Sequence, residues 1–325
     1  MRNIRWPTVS IVTPTLNSER TLDICLTSIV NQNYSGGVEI IIADGGSDDS
    51  TVLIGKKFGV KIIKNKLKTG EAGKAVGARN ARGEILAFID SDNVLPDKNW
   101  LTRMIVPFLE NKDVIATEPL FFSYRRRDHW LTRYFALLGM GDPLNLFIGN
   151  FDKYSYISDS WTKLPLLWEE KGGYLLINIK NDIPTIGANG FLIRKKVFSR
   201  YPIKNYFFDI DILKFLTQKK SIKIAKVKIG IVHLFSGNVT TFIRKQRRRI
   251  RDYLYFKRVG IRAEERGWSR VIWGIIKFTS YTILIYPLFF QLMKGYLRKK
   301  DNAWFFHPIA CWLTLGIYSY EIIRS

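Results

Sequence analysis

Cysteine is almost missing from this chain. Cys25 and Cys311 are the only two, far apart and each inside an apolar pattern, so neither a disulfide framework nor a zinc cluster is encoded. Acidic residues are also few, 28 against 51 Lys and Arg; the formal charge of +23 calls for an anionic partner: nucleic acid, a nucleotide substrate or lipid headgroups. The first seven residues lack the apolar core of a signal peptide, and the expectation is that the first domain stays on the cytosolic side. Two nucleotide-binding signatures are absent as well. In Gly70-Glu71-Ala72-Gly73-Lys74-Ala75, Lys68 stands where a P-loop needs its first glycine and Ala75 where it needs a hydroxyl. The first apolar strand runs into Pro14-Thr15-Leu16-Asn17 and not into Gly-x-Gly-x-x-Gly, which argues against a dinucleotide-binding dehydrogenase.

What the chain does have is size, with 325 residues that are 46% apolar, enough for one large domain plus an appendage. Val9-Ser10-Ile11-Val12-Thr13 and Val38-Glu39-Ile40-Ile41-Ile42-Ala43 read as β-branched strands, each followed by turn formers and a helical pattern; Lys61-Ile62-Ile63-Lys64 is a shorter third. This alternation predicts an α/β fold with a parallel sheet. Leu86-Ala87-Phe88-Ile89-Asp90-Ser91-Asp92 is a buried-strand pattern that ends in two carboxylates one residue apart. Ligands bind beyond the carboxyl ends of such strands, and side chains two apart in an extended segment share a face, so Asp90 and Asp92 can hold a hard divalent cation with the oxygens of a phosphate.

Four motifs in order, Ser10-Ile11-Val12-Thr13-Pro14-Thr15-Leu16-Asn17-Ser18-Glu19, Ile42-Ala43-Asp44-Gly45-Gly46-Ser47-Asp48-Asp49-Ser50-Thr51, Gly77-Ala78-Arg79-Asn80 and Phe88-Ile89-Asp90-Ser91-Asp92, resemble a family 2 glycosyltransferase with the GT-A fold. The resemblance implies that Pro14, Thr15, Leu16, Glu19 and Asp44 surround base and ribose. Lys74 is a candidate phosphate contact, and Asp90, Ser91 and Asp92 would hold ribose and metal-diphosphate with Mg or Mn. Leu16 replaces the family's tyrosine, which leaves the base identity open. Ile186 to Lys195, with Gly187, Asn189 and Gly190, resembles the glycine-bearing acceptor loop. Asn205 to Leu213 resembles the acidic motif, with Phe208 in the glutamate position, Asp209 matching the catalytic base and Asp211 a supporting or helix-capping neighbour. His233, at a strand end, is a further metal or diphosphate candidate beside its reading as a packing residue. Residues 117–182 read as a long irregular insertion on the acceptor side.

Residues 242–270 carry eleven basic residues interleaved with Ile250, Tyr253, Leu254 and Phe256, as in a helix lying on anionic headgroups. Gln246-Arg247-Arg248-Arg249-Ile250 resembles the Gln-x-x-Arg-Trp motif of cellulose-synthase-like enzymes, with isoleucine for tryptophan; by that resemblance Arg249 would hold the donor diphosphate and Gln246 border the acceptor. Residues 271–293 carry only Lys277 as charge and read as a membrane span; 303–323 is a weaker second one. Eleven basic residues precede the first span and four lie between the two, which orients the catalytic domain inside.

The expected organisation is a GT-A domain at 1–240, basic interface helices at 241–270 and two membrane helices at 271–325. The expected activity is metal-dependent inverting transfer of a hexose from a nucleotide sugar, GDP-mannose first, to a lipid-linked acceptor at a cytosolic membrane face: a dolichyl-diphosphate oligosaccharide in N-glycan assembly, or dolichyl phosphate. The alternatives are a UDP-sugar-dependent glucosyl- or N-acetylglucosaminyltransferase of polysaccharide synthesis and, from another class, a basic nucleic-acid- or membrane-binding protein without catalysis. Strand-end acidic motifs argue against a nucleic-acid partner.

Overall fold

A computed structural model describes residues 5–180, 182–187, 189–199, 201–218, 220–235, 237–259 and 268–325. The chain forms two compact units interleaved in sequence: Met1–Ser123 with Leu166–Leu234, and Tyr124–Pro165 with Phe235–Ser325.

The first unit starts with three strand–helix repeats, β1 (Val9–Thr15), α1 (Glu19–Val30), β2 (Val38–Asp44), α2 (Thr51–Lys57), β3 (Lys61–Lys64) and α3 (Gly70–Asn80). β4 (Ile85–Phe88), β5 (Asn93–Val94), α4 (Trp100–Glu110) and β6 (Val114–Phe122) follow. The chain then enters the second unit with α5 (Trp130–Leu138) and α6 (Leu144–Ile148). It returns with β7 (Trp168–Lys171), β8 (Tyr174–Ile179), β9 (Phe191–Arg194), α7 (Asp209–Thr217) and β10 (Ile222–His233).

The sheet order is β3-β2-β1-β4-β9-β6-β10-β8-β7, with β5 on β10. β3, β2, β1 and β4 are parallel, as the alternating pattern predicts. Beyond β4 the sheet is mixed, because β9 runs antiparallel to both β4 and β6. β4 is buried along its whole length, which is why it reads as an unbroken apolar run. The expected irregular insertion is largely regular: it contains part of β6, two helices and the β7–β8 hairpin.

The second unit adds α8 (Val239–Arg258), α9 (Trp268–Leu284), α10 (Tyr286–Arg298) and α11 (Phe306–Ile323). Its core is aromatic, with Tyr134, Phe135, Phe235, Phe242, Trp304 and Phe306 in one cluster and Phe135 stacked on Phe235 at 3.7 Å. Two expectations are corrected here. The apolar face of α8 is largely taken up by protein: Phe242, Gln246, Ile250 and Phe256 are buried, Tyr253 and Leu254 are half-buried, and Arg247 and Arg251 pair with Glu321 of α11. Residues 260–267 of the expected basic segment lie outside the described residues. Residues 271–293 do not form one continuous helix either, since α9 and α10 are bent by 97° at Ile285; only as a bent pair are they long and apolar enough for a broken span or a re-entrant loop. Pro287 has no N–H for the turn before it and its ring opposes a continuous helix there. Residues 303–323 form a 3-10 turn and α11, whose buried side includes His307 and Glu321. Among the described residues no single helix is long and apolar enough to cross a membrane.

Candidate active site

β1, β2 and β4 run parallel, so their carboxyl ends reach one edge of the sheet together. At that edge Asp44 closes β2. Its Oδ1 accepts the Thr15 hydroxyl at 2.9 Å and the Ser47 hydroxyl at 2.6 Å, while Oδ2 accepts the amides of Gly46 and Ser47, each at 2.9 Å. Burial opposes the charge on Asp44, but the bonds from Ser47, Thr15 and Gly46 outweigh it and hold the carboxyl below its ordinary value. Glu19 braces the same loop by accepting the Ser50 amide at 3.1 Å, and its own amide donates to Asp49. Pro14 lies in β1 under α3, where a Cβ on Gly73 would come 2.8 Å from the Pro14 ring. Leu16, the residue after β1, is exposed.

Asp90 to Asn93 form a turn after β4, closed by the Asn93 amide on the Asp90 carbonyl at 2.8 Å. β5 pairs with the end of β10, and this register sets Asp92 against His233, with Oδ2 and Nε2 3.3 Å apart. Ser91 reaches back to the Ser18 hydroxyl at 2.9 Å. Asn93 is the residue that sequence reading missed. It is fully buried, and its side-chain amide donates to Asn189 Oδ1 at 2.8 Å and to Asp92 Oδ1 at 3.3 Å, tying the Asp-x-Asp turn to the glycine-bearing loop. Burial pushes the Asp90 carboxyl up, against the pull of Lys74, and the nearby Asp92 charge adds to the rise.

Asp209 opens α7 and is largely buried, with Lys74 Nζ 3.4 Å from its Oδ2. Its Oδ1 is buried and has no hydrogen-bond partner among the described residues. Burial raises the Asp209 carboxyl to about 7, Lys74 opposes the rise, and the charges of Asp90 and Glu118 add to it. Gly187 lies directly on this carboxylate: at φ 126, a Cβ added there would sit 2.0 Å from Asp209 Cβ. The Gly187 amide donates to Glu118 Oε1 at 3.0 Å, and Glu118 also accepts from Lys226, both side chains being wholly buried. Neither was legible as a site residue, because their link spans β6 and β10. Gly190, at φ 89, turns the loop into β9, where a Cβ would meet Ile231 and Trp100 at 2.9 and 3.0 Å. Ala188 of that loop lies outside the described residues. Asp211 lies in the first turn of α7, two residues beyond Asp209.

Gln246 and Arg249 belong to the second unit. There Gln246 Nε2 and Arg249 Nη1 both donate to the Gly141 carbonyl, at 3.0 and 2.9 Å, and Gln246 Oε1 accepts from Arg249 at 2.6 Å and from Tyr318 at 3.1 Å. Their observed work is to brace a turn.

The chemistry of the Asp92–His233 pair fits a divalent ion. A carboxylate and an imidazole face each other at 3.3 Å beside a second, buried carboxylate at Asp90. Among the described residues no cluster of three or more His, Cys, Asp or Glu would hold an ion unaided. That suits a metal of the Mg or Mn type, which is commonly held by one or two protein groups with substrate phosphates completing the shell.

The chain is 32% identical over 162 residues to the UDP-Glc:alpha-D-GlcNAc-diphosphoundecaprenol beta-1,3-glucosyltransferase WfaP of Escherichia coli, covering 47% of this chain and 58% of that protein. It is 28% identical over 117 residues to the chondroitin synthase of Pasteurella multocida, 34% of this chain but 12% of that one. The chain thus spans less than two thirds of the length of these relatives. The mannosyltransferase PcManGT from Pyrobaculum calidifontis, solved in complex with GDP-Man and Mn2+, shares the fold at a TM-score of 0.54 and 12% identity, covering 98% of this chain and 88% of that one. Residues 10–201, more than half of the chain, match Glycosyl transferase family 2, and with its α/β GT-A-like sheet the chain belongs to that family of glycosyltransferases.

Proposed function

We propose that the chain is an inverting hexosyltransferase that moves a sugar from a nucleotide donor to a lipid-linked acceptor, with Asp209 as the base. The observation that carries the reading is the Asp209 carboxylate itself: a buried oxygen without a partner among the described residues, on a group raised to about 7 by burial, beneath a glycine-bearing loop. A base works best with a pKa near the working pH. Asp209 takes the proton of an acceptor hydroxyl as that oxygen bonds to the anomeric carbon, and the bond to the donor diphosphate breaks with its electron pair leaving on the nucleoside diphosphate. Thr15 and Asp44 orient the nucleoside, and Lys74, paired with Asp209 and within electrostatic reach of Asp90, would bring its charge to the phosphates. Asp92, His233 and Asp90 would hold Mg or Mn, which supplies charge neutralisation on the diphosphate when bound. GDP-mannose is the first donor to test. A UDP-hexose is the second reading, supported by the UDP-glucose and diphosphoundecaprenol acceptor in the name of the Escherichia coli relative.

A donor screen tests the proposal. The full chain is incubated with GDP-mannose, UDP-glucose and UDP-N-acetylglucosamine, with Mn2+ and lipid-diphosphate acceptors, and nucleoside diphosphate release is measured. Release with one donor, increased by acceptor, is expected; none with any donor would overturn the reading.

Asp92→Ala is expected to weaken Mn2+-dependent donor binding about ten- to a hundredfold, the range known for losing even an outer partner of a bound metal. Calorimetry with and without Mn2+ reads it. Equal affinities in both proteins under both conditions would remove Asp92 from the metal site.

The pH profile follows from Asp209. The protonated carboxyl cannot accept a proton, so kcat/KM should fall as pH drops through about 7. Lys74 holds that pKa down, so Lys74→Met should move the acid limb to higher pH. A limb that stays in place or moves to lower pH would separate Lys74 from the base.

A further inference from the structure

The elbow between α9 and α10 is built to stay bent. Ile285 adopts φ 58, a conformation that a β-branched residue rarely takes and that only firm packing maintains. That packing lies on the inner side. Gly274 is pressed on Ile148, where a Cβ would come 2.8 Å from the Ile148 Cα, and Gly295 lies against the Trp304 ring at the same spacing. Phe278 and Leu288 share a small core with Cys311, and Leu292 joins the aromatic cluster.

The outer side is apolar and bare. On α10, Tyr286, Phe289, Phe290, Met293 and Leu297 fall at helical spacing on one face and all are exposed, Tyr286 at 81% and Phe290 at 69%. Leu284 at the bend is 67% exposed and Trp273 on α9 is 69% exposed. A contiguous surface of this kind marks an interaction site. Charge indicates the partner. Residues 278–293 contain no charged residue, and they are bracketed by Lys277 on one arm and Lys294 on the other, with Arg298, Lys299 and Lys300 just beyond. Each uncharged arm is about 10 Å long at 1.5 Å per residue. With a bend of 97°, its tip reaches the roughly 5–10 Å depth of interfacial helices and falls well short of a roughly 30 Å hydrocarbon core.

We propose that the α9–α10 elbow is a monotopic membrane wedge that enters one leaflet of an anionic phospholipid bilayer. Leu284, Tyr286, Phe289 and Phe290 lie among acyl chains, and Lys277 and Lys294 lie at the phosphates. This goes beyond the transfer reading and does not depend on it, since lipid binding needs neither donor nor acceptor.

Flotation of the full chain with phosphatidylcholine vesicles, with and without phosphatidylglycerol, tests it. Binding is expected to be stronger with phosphatidylglycerol, to fall roughly tenfold or more in the Leu284→Asp/Phe290→Asp variant, and to lose its phosphatidylglycerol preference in Lys277→Glu/Lys294→Glu. These side chains are exposed or outside the core, and unchanged thermal melting shows that the variants fold. Both natural cysteines are buried, so a nitroxide on Leu284→Cys labels one place. Its accessibility to oxygen and to a nickel chelate should set it below the phosphates of one leaflet. No vesicle binding by the wild type, or full binding by Leu284→Asp/Phe290→Asp, would overturn the proposal. So would a label at or beyond the bilayer midplane, which means a span, or a dimer in light scattering that the Asp variant dissociates while lipid binding is unchanged, which means the patch joins two copies.

Discussion

Asp209→Asn is expected to lower sugar transfer by roughly two to four orders of magnitude, the usual consequence of removing a general base, while donor binding persists. The substitution keeps the shape of the side chain and an oxygen that can face Lys74, but the amide cannot take a proton from the acceptor. Lys74 would retain its other acidic neighbours, Asp90 and Glu71. Asp211→Asn is the control, because Asp211 lies two residues further into the same first turn, while the atoms nearest a Cβ on Gly187 are those of Asp209. Nucleoside diphosphate release, product formation and donor affinity, measured for both variants, separate the roles. An inactive Asp211→Asn beside an active Asp209→Asn would mean that the acidic motif is out of register by two residues.

Gly187→Ala is expected to be nearly as damaging, for a geometric reason. Its Cβ would overlap the Asp209 side chain at 2.0 Å, and φ 126 is a conformation that alanine rarely adopts. The strain is about 1–3 kcal/mol. Relief requires the loop to lift off the carboxylate, which stretches the hydrogen bond that the Gly187 N–H donates to Glu118. A displacement of about 1 Å at reacting groups can cost roughly a hundredfold in rate, so transfer should fall at least that far, with a lower melting temperature. Gly173→Ala, which meets nothing within 4 Å, should leave both unchanged. Wild-type activity in Gly187→Ala would show that the loop does not need to press on Asp209.

The parts of this fold that were readable from sequence are those in which one short segment carries its own signal. β1, β4 and the second half of β2 are buried on both faces and so appear as apolar runs, and the turn at Asp90 to Asn93 appears as carboxylates at a strand end. Asp209 was found because the short segment Asn205 to Leu213 resembles the family's acidic motif, and in the structure it opens α7. What stayed hidden depends on pairing across distance. Asn93 looks like an ordinary turn residue until β5 is laid on β10, and Glu118 and Lys226 look like strand charges until β6 and β10 are paired. The bend at Ile285 was missed because hydropathy sums over 271–293 ignore where a helix can continue past Pro287, and Ile285 itself disfavours the conformation that it adopts. The face of α8 was misassigned because a buried helix and a membrane-surface helix have the same apolar period; contact with α11 distinguishes them.

The anomeric configuration of the transferred sugar is the most direct measurement of direct displacement driven by a single base. With the donor that releases nucleoside diphosphate in the screen, the product is isolated and the configuration at its new glycosidic carbon is read by NMR. Inversion relative to the donor is the predicted result; retention would contradict the role given to Asp209, because it requires a second displacement that this site is not proposed to perform.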